Sequence, residues 1–240
     1  MFNQTAEISS YIFPLVKAKR KTNGFYEYEE LVGTAFFIGK NGYALTAAHV
    51  IEQCFDDRPE NGVVLALFWA GTGWYVEQIL EKEKHSSEDV GIIKVPGNNW
   101  KSILMISNKP ENSSCQYNCW GYPHETAKEV QQLYQNVIER PDLIFSQGYV
   151  RRRISRELYP TMIFRGTQFY ELSEQVGGGN SGAPLILKES LGQPFWKFFG
   201  IYIGEKESGN ISYGVRAESF TNWTPDILGR TINEESINVV

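Results

Sequence analysis

Short apolar segments separated by turn-forming residues run along most of this 240-residue chain. The segments are rich in Val, Ile, Phe and Tyr, and Gly, Asn or Pro stands between them, which is typical of an antiparallel β-barrel or sandwich. The spacing therefore predicts an all-β protein. The predicted strands are 31–38, 43–45, 63–69, 75–80, 90–95, 119–122, 143–150, 161–170, 183–187, 196–203 and 211–216.

Helical periodicity is weak, and only two segments are candidates. One is the turn after His49, Val50–Cys54, and the other is Ala127–Ile138, which a loop excursion would fit as well. The polar stretch Gly97–Ser114 contains Pro110 and several Asn, and it is the best place for a join between two halves. We expect an N-terminal β-barrel at 8–105, a C-terminal β-barrel at 106–225 and a C-terminal tail at 226–240.

The composition is compatible with a sizeable core and gives no reason to expect phosphate-backbone binding. Hydrophobic residues make up 42% of the chain, and 23 basic against 28 acidic side chains give a net charge of −5. The dense basic stretch of Arg151, Arg152, Arg153 and Arg156 fits a charged edge strand better than a site for nucleic acid or acidic peptides. We therefore expect no nucleic-acid partner.

Cysteine usage and the apolar runs bear on location. Cys54, Cys115 and Cys119 are an odd number, unlike the larger even set of a disulfide-stapled secreted scaffold. The apolar run Tyr11–Val16 is too short for a signal peptide or a membrane span. These observations predict a cytoplasmic protein with no membrane partner.

Cys115 and Cys119 lie close together in the sequence and could be either zinc ligands or buried apolar thiols. Cys115, Cys119 and His124 would supply three ligands, but no fourth is evident in the sequence. Buried apolar thiols are the favoured interpretation, and we expect neither a metal nor a cofactor.

Three segments carry residues suited to acyl transfer. His49 ends LTAAH, Asp89 precedes the apolar run VGIIKV, and Ser181 lies in the glycine-rich VGGGNSGAPL. A serine hydroxyl becomes a good nucleophile when an imidazole accepts its proton, and a buried carboxylate holds the imidazole in the required tautomer. Glu88 is the neighbouring alternative, but Asp89 stands at the start of the strand and is favoured.

The glycines around Ser181 point to an oxyanion hole. They permit backbone dihedrals that other residues avoid, so that successive N–H groups can converge on one point. The expected donors are the amides of Gly179 and Ser181.

TAAHV, DVGIIKV and GNSGAP resemble the three signature segments of the chymotrypsin-fold, trypsin-like serine peptidases, in that family's His, Asp, Ser order. The resemblance implies two six-stranded antiparallel β-barrels with the active site in the cleft between them. The first barrel would contribute His49 and Asp89, and the second Ser181.

Details within these motifs resemble the disulfide-free bacterial branch, with its glutamyl endopeptidases and high-temperature-requirement proteases. Asn180 is uncharged and cannot make the salt bridge of a trypsin-type zymogen switch. Glutamyl endopeptidases have a histidine where this chain has Tyr202, so glutamate specificity is not supported.

By family position, the pocket for the residue before the scissile bond has no fixed carboxylate at its base. Glu205 precedes Lys206 and Glu207 in what the sequence predicts to be an exposed turn facing water. We therefore expect no strict preference for Arg or Lys, and a leaning towards small or medium side chains. The substrate-binding candidates are Gln175, Val176, Tyr202, Ile203, Gly204, Glu205 and Gly214.

The sequence thus predicts a serine endopeptidase that cleaves proteins or peptides through an acyl-enzyme on Ser181. A non-catalytic binding or scaffold module that retains the triad is the alternative. A protease in the cytosol needs restraint, so a regulatory protein or ligand is an expected partner, although no residue identifies it.

Overall fold

The structure is a computed structural model, and it describes residues 8–55, 62–69, 74–97, 100–124, 142–158, 164–206 and 211–238. The helix candidate at Ala127–Ile138 lies outside these residues. The described chain forms two barrel-like β-sheets, which confirms the all-β prediction. No helix in the described ranges is long and apolar enough to cross a membrane.

The first sheet has seven strands in the order β5-β4-β1-β2-β3-β7-β6. The helix α1, Ala48–Phe55, follows β3 and confirms the predicted turn after His49. The strands of this first sheet are β1 Ile12–Arg20, β2 Tyr26–Ile38, β3 Tyr43–Thr46, β4 Gly62–Trp69, β5 Trp74–Gln78, β6 Glu81–Lys84 and β7 Gly91–Lys94.

The second sheet also has seven strands, in the order β12-β9-β10-β11-β14-β13-β8, and β12 pairs with β13 as well. That extra pairing closes six of the strands into a ring, and β8 adds to β13 in parallel. Its strands are β8 Leu104–Ile106, β9 Gln116–Gly121, β10 Ile144–Ser155, β11 Gln168–Leu172, β12 Pro184–Leu187, β13 Trp196–Lys206 and β14 Ile211–Arg216.

The larger of two hydrophobic core clusters among the described residues runs through both sheets, and the smaller one lies within the second barrel. Phe36 on β2 meets Phe198 on β13 edge to face, with ring centroids 4.9 Å apart, and both rings are completely buried. Aromatic pairs in this geometry add to the free energy gained from area burial. The two barrels therefore pack against each other through the strands that approach the site.

The edge of β2 is left unpaired where β3 ends. Phe36 on β2 lies opposite Leu45 on β3, so Thr34 would pair with Ala47, beyond the last residue of β3. On the other side of β2, Thr34 faces Pro14, which has no backbone N–H. The backbone groups of Thr34 are thus available to a segment from outside this sheet.

The C-terminal segment returns from the second sheet to the first. The Tyr43 hydroxyl donates to the carbonyl oxygen of Ile227, and Glu83 Oε2 accepts from the Ile227 amide. The short helix α2, Ile232–Ser236, begins with a capping box between Thr231 and Glu234. This segment ties the two barrels together at a second place.

Three of the four arginines of the basic stretch are paired with acidic side chains of the second barrel. Arg151 and Arg152 both contact the carboxylate of Glu171, which is 7% exposed, and Arg153 contacts Glu218. Much of the positive charge of this strand is therefore balanced within the fold.

The completely buried Glu235 carries the first testable prediction. Its carboxylate accepts from Asn41 Nδ2 at 3.1 and 3.2 Å and pairs with Arg230 at 2.7 Å. Glu235→Ala leaves the Asn41 amide without this partner and should lower the free energy of unfolding by about 1.5–3 kcal/mol. Urea denaturation followed by tryptophan fluorescence measures the change.

Glu234→Gln is the matched control, because an amide oxygen can keep the capping box at this exposed position. It should change stability little. Equal stability losses in the two variants would contradict the structural importance given to Glu235.

Candidate active site

His49 and Asp89 are in direct contact. His49 Nδ1 lies 2.8 Å from Asp89 Oδ2, and the backbone amide of His49 donates to Asp89 Oδ1 at 2.9 Å. The Asp89 side chain is 1% exposed and that of His49 12%. A buried carboxylate that accepts from both the ring and the amide fixes the imidazole in position and favours the tautomer protonated on Nδ1.

The local sequence explains the position of His49. Helix α1 begins at Ala48 and buries Val50, Ile51 and Cys54 against the first sheet. His49 lies in the first turn, on the opposite face of the helix from these buried residues.

Glu88, the sequence alternative to Asp89, points to a different partner. Its Oε1 accepts a hydrogen bond from the Thr167 amide at 3.4 Å, and Glu88 is only 5% exposed. Desolvation by burial raises the pKa of Glu88, with backbone hydrogen bonds from residues 167 and 168 opposing the rise. Glu88 thus contacts the second barrel, whereas Asp89 contacts the imidazole.

A segment of the second barrel covers the His49 region. The Phe164 ring lies against the His49 ring, with centroids 5.8 Å apart, and Arg165 pairs with Glu52 of α1. The Thr167 contact with Glu88 completes this crossing. The strand predicted at 161–170 was wrong for residues 164–167, because these residues cross to the first barrel and β11 starts at Gln168.

The Ser181 loop is held by the side chain of the preceding residue. Asn180 is completely buried, and its Nδ2 donates to the carbonyl oxygens of Val176 at 2.5 Å and Gly177 at 3.1 Å. Gly179 has φ of +93°, a conformation that favours glycine and turns the chain between Asn180 and the preceding glycines. The glycine-rich sequence is therefore required by the path of this loop.

The amides of Gly179 and Ser181 donate no hydrogen bond to any other described residue. The carbonyl oxygen of Gly178, which belongs to the same peptide as the Gly179 N–H, accepts from the His124 amide at 2.7 Å. Because N–H and C=O point in opposite directions in a trans peptide, the Gly179 N–H points away from His124. Two unpaired donors beside Ser181 form a place where an anionic oxygen can bind.

The Ser181 hydroxyl donates to the carbonyl oxygen of Ile203 at 3.1 Å, and within the described chain it makes no hydrogen bond to His49. Gly33 nevertheless lies close both to Ser181 and to Val50, the residue after His49. A β-carbon on Gly33 would lie 2.7 Å from a Val50 methyl group and 2.9 Å from the Ser181 carbonyl oxygen. Only glycine allows this approach, which brings the serine loop beside the residue that follows His49.

Two of the expected pocket residues, Tyr202 and Glu205, are hydrogen-bonded to the loop that contains Val176. Tyr202 is completely buried, accepts from the Val176 amide at 3.4 Å and donates to Glu205 Oε1 at 2.9 Å. Glu205 Oε1 also accepts from the Gly177 amide at 2.5 Å. Glu205 therefore bonds across the loop, which differs from the water-facing turn expected from sequence.

The other expected pocket residues lie at the rim and along the strands. Gln175 is exposed, and its Nε2 donates to the Lys206 carbonyl oxygen at 3.2 Å. Gly214 on β14 lies opposite Tyr202, and the register of β13 shifts between Tyr202 and Gly204. Ile203 stands at this irregularity and turns its carbonyl oxygen to Ser181.

Burial makes Cys115 and Cys119 poor nucleophiles, and among the described residues no group of three or more His, Cys, Asp or Glu side chains is placed to hold a metal ion. Desolvation raises the pKa of the Cys115 thiol to about 12, with Glu111 adding to the rise, and desolvation also raises that of Cys119 to about 12. Both remain protonated at neutral pH, whereas the nucleophilic form of a cysteine is the thiolate.

Sequence reasoning missed two residues that contact this region, Thr34 and Phe164. Thr34 is the one polar side chain in the strand segment Leu31–Ile38, a signal that could have marked it. Nothing near Phe164 in the sequence indicates that it meets His49, because that contact depends on how the two barrels are placed.

Solved structures with the same fold span nearly the whole chain. The MamO protease domain from Magnetospirillum magneticum aligns with a TM-score of 0.63 at 12% identity, covering 94% of this chain and 100% of the other. Deg5 aligns with a TM-score of 0.60 at 12% identity, covering 91% and 92%. The active form of the Rv3671c protease from M. tuberculosis aligns with a TM-score of 0.56 at 18% identity, covering 88% and 78%.

Comparison with curated protein sequences gives no match. The family profile described as the trypsin-like peptidase domain matches residues 33–192, which is two thirds of the chain and includes His49, Asp89 and Ser181. The chain belongs to the trypsin-like peptidase family and is a serine endopeptidase of the chymotrypsin fold, with proteins as its substrates.

Proposed function

We propose that Ser181 is the nucleophile of this protease, that His49 is its general base and that Asp89 orients the imidazole. The observation that carries the proposal is the Asp89 carboxylate, which is 1% exposed and bonds both the ring and the amide of His49. A buried carboxylate in this position stabilises the imidazolium that forms when His49 accepts a proton.

In the first step the Ser181 hydroxyl leaves the Ile203 carbonyl by rotation about its side chain and turns to His49. The Oγ–H proton moves to His49 Nε2 while Oγ forms a bond to the substrate carbonyl carbon. The π electrons of that carbonyl move to its oxygen, and the Gly179 and Ser181 amides bind the resulting oxyanion. Their lack of other partners in the described chain supports this role.

Collapse of the tetrahedral intermediate breaks the carbon–nitrogen bond, and His49 gives its proton to the leaving amine. The product is an ester between Ser181 and the acyl part of the substrate. Water then attacks the ester and passes a proton to His49, the carbon–oxygen bond to Ser181 breaks, and the serine recovers its proton.

The first test uses the nucleophile and the base. Wild-type protein should react covalently with a fluorophosphonate probe, and Ser181→Ala should not, because the bond forms on the missing oxygen. Ser181→Ala or His49→Ala should reduce kcat to a residual rate about 10³–10⁴ over the uncatalysed reaction, owing to the oxyanion hole and binding. Probe labelling on a gel and peptide turnover measure these effects.

Ser173→Ala is the matched control, because this serine lies on the same barrel with its hydroxyl bonded to the Tyr149 amide. Its labelling and turnover should match the wild type. Undiminished labelling of Ser181→Ala would place the nucleophile elsewhere.

The second test concerns Asp89. Nitrogen-15 NMR of the ring nitrogens should find neutral His49 protonated on Nδ1, because Asp89 accepts there. Asp89→Asn should shift His49 towards the other tautomer and lower kcat by about 10⁴-fold, since Nε2 then carries the proton and cannot accept another.

Glu88→Gln is the control for charge removal next to Asp89, and it should keep kcat near the wild-type value. His85 provides a reference in the same spectrum, because its Nδ1 accepts from the amides of Ser87 and Glu88 and must be unprotonated. A loss of activity in Glu88→Gln with Asp89→Asn unaffected would reverse the assignment.

We further propose that the pocket before the scissile bond is short. The hydroxyl of Tyr202 and the carboxylate of Glu205 join β13 to the Val176–Gly177 loop, and so connect the two stretches of expected pocket residues, Gln175–Val176 and Tyr202–Glu205. Burial is the main cause that raises the pKa of Tyr202, and the negative charge of the Glu205 carboxylate raises it further. The Tyr202 hydroxyl therefore keeps its proton and donates a hydrogen bond to Glu205. These bonds favour substrates with small side chains at this position.

Cleavage of a peptide library tests this specificity. We expect cutting after residues such as Ala, Ser, Thr or Val, and Tyr202→Ala should add cleavage after Leu and Phe because it removes the ring that fills the pocket. Tyr213→Phe, on the opposite strand, is the control and should keep the wild-type preference. Cutting confined to Arg and Lys would instead make Glu205 an accessible anion that selects basic residues.

The cytoplasmic location and the regulatory partner belong to the same proposal. Cys54, Cys115 and Cys119 form no disulfide with one another, which supports a reducing compartment. Restraint of a protease in such a compartment would come from a protein or ligand that alters this site.

A further inference from the structure

We infer that Thr34, on the first barrel, is a positioning residue for the oxyanion hole on the second. The inference rests on the proposed function of Ser181 and goes beyond it, because it assigns a role to a residue outside the three signature motifs. Thr34 contacts no reacting atom, and its effect on catalysis would be exerted through the loop Gly178–Ser181.

Every polar group of Thr34 is hydrogen-bonded, and the residue is completely buried. Its hydroxyl donates to the carbonyl oxygen of Gly179 at 3.0 Å and accepts from the Tyr122 amide at 3.0 Å. Its amide donates to the carbonyl oxygen of Ser181 at 2.8 Å, and its own carbonyl oxygen accepts from the Thr46 hydroxyl at 2.7 Å. One residue thus connects three segments of two barrels.

These contacts matter because of the peptide planes they fix. Four consecutive carbonyl oxygens of the serine loop accept hydrogen bonds. The Gly178 carbonyl accepts from the His124 amide, and the Asn180 carbonyl accepts from the Ala183 amide at 2.9 Å. The Gly179 carbonyl accepts from the Thr34 hydroxyl, and the Ser181 carbonyl accepts from the Thr34 amide. Thr34 therefore supplies two of the four bonds.

The orientation of the oxyanion donors follows from this arrangement. The Ser181 N–H belongs to the peptide between Asn180 and Ser181, and both neighbouring peptides are held by Thr34. The Gly179 N–H belongs to the peptide just before the Gly179 carbonyl that Thr34 binds. Since a peptide is planar, fixing its neighbours limits the rotation that would turn either N–H out of the hole.

The hydroxyl of Thr34 cannot be replaced by water in this setting. Thr34, Tyr122 and the loop residue Gly179 are all buried, and a carbonyl or amide left without a partner there loses its solvation as well as its bond. The loop would then move to satisfy the Gly179 carbonyl. Because Thr34 stands on the barrel that carries His49, its bonds also maintain the loop's position relative to the base.

The test compares Thr34→Val, which keeps the shape and loses the hydroxyl, with Thr34→Ser, which keeps the hydroxyl. Thr34→Val should lower kcat by about 10- to 100-fold, less than the roughly 10²–10³ that follows removal of an oxyanion donor, with KM changed less than about twofold. Its affinity for a peptide boronic acid, which occupies the oxyanion hole, should fall in parallel with kcat. Thr34→Ser should restore both to within about threefold of wild type.

Thr46→Val is the matched control. It removes another buried threonine hydroxyl, which bonds the Thr34 carbonyl oxygen and lies beside Gly182, and it leaves the contacts of Thr34 with Gly179 and Ser181 in place. Thermal unfolding of both variants separates a loss of stability from a loss of catalysis. We expect similar destabilisation but a fall in kcat for Thr34→Val alone.

Amide hydrogen exchange of the segment Val176–Ala183 provides a readout that does not depend on turnover. Exchange should become faster in Thr34→Val and remain unchanged in Thr46→Val. Unchanged exchange, equal falls in kcat for both variants or failure of Thr34→Ser to restore kcat would each overturn the inference. A wild-type protein without turnover or probe labelling would instead contradict the proposed function, and the exchange result would still decide the role of Thr34.

Discussion

The hydrogen-bonded contact between the edge of β2 and the serine loop is the interaction on which the geometry of the site depends. It joins backbone to backbone, from the Thr34 amide to the Ser181 carbonyl oxygen, at a place where β3 has ended and Pro14 offers no N–H. A backbone contact of this kind is less adaptable than a contact between long side chains, because a shift of either strand breaks it. The loop of one barrel is thereby held to the framework of the other.

His49 also lies where the two barrels meet, and it is held by residues from both of them. Asp89 holds its ring and its amide, and Phe164 of the second barrel lies against the ring. Covering the pair with apolar groups lowers the local dielectric and strengthens the interaction between carboxylate and imidazole. Neither barrel alone supplies this environment, since the carboxylate comes from the first and the covering ring from the second.

The fold class and the order of the motifs could be predicted from sequence because both depend on local patterns. Strands β1, β6 and β8 were not among the predicted strands. The β6 sequence, Glu81–Lys84, has no apolar alternation, and its side chains make contacts outside their own sheet, such as Lys84 with Glu52 and Glu83 with the Ile227 amide. Strand β8 lies in the polar stretch expected to join the two halves and forms only by parallel pairing with β13.

The contacts within the candidate active site could likewise be predicted only in part from the sequence. The histidine, aspartate and serine each stand in a recognisable segment, but the bond from Tyr202 to Glu205 depends on an irregularity in β13 that no sequence spacing indicates. Thr34 meets Gly179 across 145 positions in the chain, and its partners in the serine loop are backbone carbonyls, which leave no trace in the sequence. Residue identity therefore predicted which groups are candidates for the chemistry, and tertiary structure was needed to see what holds them.

The amides of Gly179 and Ser181, unbonded within the described chain, suggest why the serine loop keeps its shape. Unpaired backbone donors in a folded protein are costly, by about 1–3 kcal/mol for each one that is buried away from water. Gly179 is buried, and its amide, like that of Ser181, has no acceptor among the described residues, while the carbonyls between them are all bonded. A binding module would gain nothing from keeping two such amides beside a serine and a carboxylate-bound histidine. For an acyl-transfer site the unpaired state is useful, because the acceptor of these amides is the oxygen that becomes negatively charged during the reaction.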